Sequence, residues 1–215
     1  MRRRECLIGA AAGALGTLWP LHVAAQASRQ WHFDVWLGDT QVGHHHFDLN
    51  PAGGQQELRS EADLNVKLFS VSVFRYHHES TEQWEGNCLQ SIDSRTRENK
   101  RELWVKGQRR GDGFELSNRD GDTRLPGCVM TYAYWNPHLL TQTQLLNPQN
   151  GKLLTATVSD KGKESVVARG KSVPAHKYEI STKGAPIELW YAEGGTEWVA
   201  LASTIGGQQL RYRLV

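Results

Sequence analysis

Cysteine, an excess of either charge, long apolar runs and catalytic signatures are all scarce in this chain. Three of its 215 residues are cysteine, and 25 Lys and Arg stand against 23 Asp and Glu. So balanced a charge leaves no electrostatic footprint for nucleic acid or an anionic membrane. Arg109-Arg110 and the Arg95/Arg97 pair are isolated and read as solvated. The chain has no Gly-x-Ser-x-Gly elbow, phosphate-binding glycine loop, Cys-x-x-Cys pair or dinucleotide fingerprint, so no cofactor is expected. His78-Glu79-Ser80-Thr81-Glu82 begins like a zinc-protease helix. Glu82 stands where the second histidine belongs, and the surrounding sequence is strand-like, so that reading fails.

Only the beginning of the chain approaches an apolar run. Arg2, Arg3 and Arg4 precede a weakly apolar stretch, and Ala25-Gln26-Ala27 offers small residues at the spacing a signal peptidase reads. We expect residues 1–27 to be a cleaved export signal and residues 28–215 to form one β-rich domain in the periplasm. The stretch is short of the roughly 20 apolar residues of a membrane span, so the mature chain is not expected to span a membrane. Arg3-Arg4-Glu5-Cys6-Leu7 resembles a twin-arginine signal, but Cys6 replaces the usual Phe, leaving the general and twin-arginine routes both open. Cys6 precedes the apolar stretch instead of closing it, so no lipid anchor is expected. Losing Arg2, Arg3, Arg4 and Glu5 lowers Lys+Arg from 25 to 22 and Asp+Glu from 23 to 22, so the formal charge falls from +2 to 0. Cys88 and Cys128 remain. In an oxidising compartment that even pair reads as one disulfide; two buried free thiols, or a Cys/His nucleophilic site, are the alternatives.

The rest of the chain reads as short strands. Leu64, Val66 and Leu68 alternate with Asp63, Asn65 and Lys67, and Leu210, Tyr212 and Leu214 alternate with Gln209, Arg211 and Arg213. Turn signals recur at Gly38-Asp39, Pro51-Ala52-Gly53-Gly54, Glu85-Gly86-Asn87, Gly111-Asp112-Gly113, Asp160-Lys161-Gly162 and Gly206-Gly207. This pattern predicts a mainly β fold: a single curved antiparallel sheet or half-open barrel, each strand with one buried and one wetted face. One short helix is expected over Asn136–Leu146, with Pro137 in its first turn and Leu139, Leu140, Leu145 and Leu146 on one side.

Two groups of side chains are candidates for binding. In His44-His45-His46 on a strand, His44 and His46 share a face and His45 points away. His44 and His46, with His77, His78 or Glu79, have the chemistry of a zinc or copper site. Period-2 spacing does not itself make one, so surface histidines and no metal are the expectation. Trp36 and Trp104 fall on the opposite phase from the clearest apolar residues of their strands. An apolar cleft on a curved sheet, lined by Trp36, Trp104, Trp135 or Trp190, is the expected ligand site, with ordinary packing as the alternative.

Gly127-Cys128-Val129-Met130-Thr131-Tyr132-Ala133-Tyr134-Trp135-Asn136-Pro137 and Leu145-Leu146-Asn147-Pro148 carry a resemblance, as do Trp84-Glu85-Gly86-Asn87-Cys88-Leu89, Leu189-Trp190-Tyr191, Trp198-Val199-Ala200-Leu201 and Leu210-Arg211-Tyr212-Arg213-Leu214. Together these segments resemble an exported bacterial family known as a domain of unknown function, a resemblance that implies no established activity. More distantly, the strand succession is similar to periplasmic lipoprotein carriers of the LolA/LolB type, whose curved sheet holds acyl chains; this is an analogy of fold. The leading expectation is a non-enzymatic protein binding a hydrophobic small molecule or lipid. The alternatives are an assembly factor acting through a sheet edge or apolar patch, and an enzyme with an unrecognised active site.

Overall fold

The computed structural model describes residues 27–68 and 71–215. The expected export segment, residues 1–27, falls almost wholly outside them. Eight strands follow one another first: β1 (Arg29–Leu37), β2 (Thr40–Ala52), β3 (Gln55–Leu68), β4 (Val71–Glu85), β5 (Cys88–Glu98), β6 (Arg101–Arg110), β7 (Gly113–Asn118) and β8 (Gly121–Pro126). A crossing segment, 127–156, carries a 3-10 turn at Pro137–Thr141 and a small hairpin of β9 (Gln144–Leu146) and β10 (Leu153–Thr155). Five more strands complete the chain: β11 (Thr157–Ala168), β12 (Lys171–Ser181), β13 (Ile187–Ala192), β14 (Trp198–Ile205) and β15 (Gln208–Leu214).

These two meanders form one antiparallel sheet of 13 strands, because β15 pairs with β1 and joins them. Its order is β11-β12-β13-β14-β15-β1-β2-β3-β4-β5-β6-β7-β8, open between β8 and β11. Tight turns follow from the sequence: Gly53 and Gly54 connect β2 to β3 with φ of 58° and 87°, a conformation that suits glycine. Bulges at Val35/Trp36, Val66/Lys67 and Gln83/Trp84 bend the long strands. Close approach also matters: a Cβ on Gly43 would lie 1.9 Å from the Asp63 carbonyl oxygen across the β2–β3 ladder.

The sheet curls so that alternate residues point into one interior, and the crossing segment runs through it. At the lower end the interior is solid. Trp198 packs on Phe33 with ring centroids 4.4 Å apart, and Trp84 meets Trp135 edge to face at 5.6 Å. Met130, Leu139, Leu145 and Leu146 of the crossing segment are fully buried there. Each such side chain contributes about 1.5–3 kcal/mol through its removal from water. The Cys88–Cys128 disulfide ties the start of the crossing segment to the start of β5, with Cα atoms 5.0 Å apart. The Leu89 amide donates to the Val129 carbonyl at 2.9 Å just beside it.

The mainly β, curved antiparallel architecture expected from the alternation is what forms, but three local readings need correction. The expected helix over Asn136–Leu146 is only the 3-10 turn Pro137–Thr141, capped by the Asn136 side chain accepting from the His138 amide. Gln142 is extended, and Leu145 and Leu146 belong to a strand. Asp160-Lys161-Gly162 is a bulge inside β11, not a turn. β3 begins at Gln55, well before Asp63. The edge strand β8 is exposed along nearly its whole length and so shows no alternation for a sequence reading to detect.

Candidate functional site

Above the packed floor the interior is hollow. A cavity of about 440 Å³ lies between the inner faces of β2, β3, β4, β14 and β15 and the crossing segment. That size falls in the range of small-molecule sites. β4 supplies much of its chemistry by simple alternation, since Phe74, Tyr76, His78, Ser80 and Glu82 all face it. Register adds the neighbours. His45 of β2 pairs across with Ala62 of β3, and Ala62 pairs with His78 of β4, so two imidazoles stand either side of one small methyl group.

Several polar groups of the interior are partnered with one another. His45 Nε2 lies 2.8 Å from Ser60 Oγ, and its Nδ1 lies 3.3 Å from the Tyr212 hydroxyl. The same ring stacks on Phe47 at 4.0 Å. His78 Nδ1 lies 2.8 Å from Thr96 Oγ1. The Glu82 carboxylate accepts from Trp84 Nε1 at 3.0 Å and from Thr131 Oγ1 at 3.1 Å, both on Oε2. Gln149 Nε2 donates to the Tyr76 hydroxyl at 2.8 Å, and the Tyr191 hydroxyl donates to the Tyr134 carbonyl at 2.8 Å. The crossing segment is therefore fastened to both walls.

Burial sets the protonation of these groups. Desolvation pushes the Glu82 carboxyl up to about 7, although its two hydrogen bonds work the other way. It lowers the His78 imidazole to about 4. His45 is held well below the usual imidazole range by burial and then by the neighbouring His78 and His46. The phenols of Tyr76, Tyr134 and Tyr212 are raised, so all stay protonated. Near pH 6 the deep part of the cavity thus carries neutral imidazoles, neutral phenols and a neutral carboxylic acid. Among the described residues no Lys or Arg lines it.

Polarity is graded along the cavity. His78, Ser60, Ser80 and Glu82 are buried in its depth beside Phe47, Leu58 and Leu201, whereas the less buried Phe74, Leu64, Ile187, Leu210 and Ile205 lie toward the mouth. The mouth itself carries exposed apolar side chains, with Phe74 37% and Ile205 55% accessible.

The four tryptophans expected to line a cleft are not brought together, and none faces this cavity. Trp36 sits on the outer face of β1 under the Arg213 guanidinium, 4.5 Å from the ring centroid. Trp104 is 38% exposed on the outer face of β6. Trp135 is core, packed against Trp84. Trp190 is on the outer face too, donating to Glu164 at 2.6 Å beneath Lys177. There the end of the β11–β12 hairpin folds back over β14 and β15, with Val166, Trp190, Ala200 and Ala202 lining a shallow groove. Period-2 phase correctly puts Trp36 and Trp104 opposite their strands' apolar residues; that opposite face proves to be the outside.

The histidines divide in the same way. His44 and His46 share the outer face, where His44 Nδ1 lies 3.0 Å from Asp34. His77 also faces out, 2.7 Å from Asp63, and Glu61, Asp63 and His77 are near neighbours on this exposed surface. His78 faces in, and among the described residues His44, His46 and Glu79 belong to no group close enough to share one ion. The interior instead sets His45 and His78 on either side of Ala62. The signal for this was phase: His45 is in step with Phe47 and Leu49, and His78 with Trp84.

A sequence profile of the family described as a domain of unknown function (DUF6134) matches residues 33–215. No curated protein matches the chain. Among solved structures, it is similar to the crystal structure of a β-barrel-like protein of domain of unknown function DUF1849 from Brucella abortus. The TM-score is 0.63 at 12% identity, covering 89% of this chain and 97% of that one. At that identity the likeness concerns the fold alone. Among the described residues no helix is long and apolar enough to cross a membrane.

Proposed function

The chain belongs to the DUF6134 family, a domain of unknown function, and from that premise we propose that it is an exported, non-enzymatic carrier of a hydrophobic, lipid-like ligand in the periplasm. The observation that carries this reading is the 440 Å³ cavity, left unfilled between a solid floor and an apolar mouth. An interior of this size that serves only packing is closed by side chains, because voids forfeit dispersion contacts and cost stability. The Cys88–Cys128 disulfide supports an oxidising compartment, and the composition of residues 1–27 supports export. The exposed apolar rim at Phe74 and Ile205 suits delivery to and from a hydrophobic surface.

Titration with single-chain lipids, followed by fluorescence of Trp198, tests the reading. The Trp198 ring centroid lies 5.3 Å from that of Tyr134, a cavity wall. A saturable response is expected in the native protein. It should vanish in Ser203→Trp, which fills the cavity from its partly exposed side. No saturable response to any lipid class overturns the carrier reading.

One arrangement favours a second reading, an enzyme. Ser60, His45 and Tyr212 form a nucleophile–base–orienting chain inside the cavity. His45 is a poor base there, because burial holds its imidazole well below the ordinary value. A fluorophosphonate probe separates the two readings: covalent labelling at Ser60 favours the enzyme, and an unlabelled native protein favours the carrier.

A further inference from the structure

Taking the carrier reading as its basis, we infer that the ligand has an uncharged polar head, such as a hydroxyl or an ester carbonyl, and enters head first. Three features of the cavity lead to this. The first is the placement of polar groups: the buried depth combines His78, Ser60, Ser80 and Glu82 with Phe47, Leu58 and Leu201, while the side chains toward the mouth are mainly apolar. An amphiphile lowers its free energy by placing its hydrogen-bonding end among His45, Ser60, His78 and Ser80 and its chain against Phe74, Leu64 and Leu210 near the mouth. The opposite orientation sets a hydrocarbon chain against these polar groups and leaves the head among apolar side chains at the mouth.

The second feature is the absence of a countercharge for an anion. Among the described residues the cavity is lined by no Lys or Arg. The nearest basic side chains of the β14–β15 wall, Arg211 and Arg213, belong to the outer face. A carboxylate or phosphate carried into the depth would be a desolvated charge without a partner, one of the most costly arrangements in a protein interior. The imidazoles do not supply the missing charge, since protonating either one meets the same desolvation.

The third feature excludes a cationic head. Among the described residues Glu82 is the only carboxylate in the depth, and its Oε2 already accepts from Trp84 and Thr131. Glu98, the other carboxylate of the lining, sits beside Arg101 on the β5–β6 turn, 4.0 Å from its guanidinium. An ammonium group would therefore face one partly occupied carboxyl in a site otherwise built from neutral donors and acceptors. A hydroxyl or carbonyl fits without a charge change: Ser80 and Tyr134 offer O–H donors, and the imidazoles offer either role according to tautomer.

The test uses three probes of equal chain length, 1-dodecanol, dodecanoate and dodecylamine. Each is titrated by calorimetry into the full-length mature protein at pH 6 and again at pH 7.5, below its aggregation limit. Dodecanol is expected to bind at least tenfold more tightly than either charged probe, and Ser203→Trp should abolish its heat. Dodecanoate or dodecylamine matching or exceeding dodecanol overturns the inference while leaving the carrier reading in place. Failure of all three probes to bind overturns the inference and the carrier reading together.

Discussion

Glu82 controls the electrostatics of the interior, and it makes stability depend on pH in a definite direction. Its carboxyl titrates near 7 in the fold against 4.5 ordinarily. A group raised in this way contributes its full stability below the unfolded value and loses it as pH rises through the folded one. Wild-type stability should therefore fall by about 3 kcal/mol between roughly pH 5 and 8 on this account. Glu82→Gln should flatten that decline, as urea denaturation at several pH values will show; an equal decline in both proteins contradicts the assignment. His78, lowered to about 4 from 6.5, acts on the acid side. Its contribution is complete above about pH 6.5 and is lost as pH falls through 4. The outer tryptophans give the complementary prediction. Trp36→Ala and Trp104→Ala should leave the affinity for dodecanol within twofold of wild type in the same calorimetric titration, because both rings lie on the far side of the sheet from the cavity. A tenfold loss in either variant would move the ligand site outside.

At the scale of elements, the crossing segment decides how much of the interior is solid and how much is hollow. It is held at its start by the Cys88–Cys128 bridge and further along by Ser94 Oγ donating to the Pro148 carbonyl at 2.5 Å. Replacing both cysteines by serine should cost about 2–4 kcal/mol, since the bridge closes a long loop in the unfolded chain. Thermal melts of that variant beside wild type will measure it; an unchanged melting temperature removes the bridge from the account. Gly43→Ala should also destabilise strongly, by about 2 kcal/mol or more, because the added methyl meets the β3 backbone, not a side chain that can move.

The elements themselves were legible in the sequence because period-2 alternation is a local property. Trp31, Phe33 and Val35 announce one buried face of β1, and the glycine pairs announce the turns. The crossing segment was not legible in that way. Its Leu139, Leu145 and Leu146 are buried by contacts distant in sequence, and apolar spacing alone looks the same in a helix and in an irregular buried chain. The site was half legible. Alternation shows that His45 opposes His44 and His46, yet which face becomes the inside depends on how the whole sheet curls. A run of three histidines draws the eye to the exposed pair, and the tryptophans to a face that proves external.

For the molecule as a whole, the central feature is a 13-stranded sheet whose two meanders meet where β15 pairs with β1. The interior lies between them, filled below by aromatic rings and open above. The exposed edge β8 carries Asp122, Arg124 and Pro126, residues that discourage pairing with another strand, so protein assembly through that edge is disfavoured. The cavity is then the feature that calls for an occupant. Native mass spectrometry of protein isolated from the periplasm, with organic extraction of the same sample, tests this most directly. The account predicts one lipid-like, uncharged molecule per chain, recovered in the extract and absent from Ser203→Trp. A bare polypeptide mass with nothing extractable, in a protein that also shows no saturable response to added lipids, would contradict it.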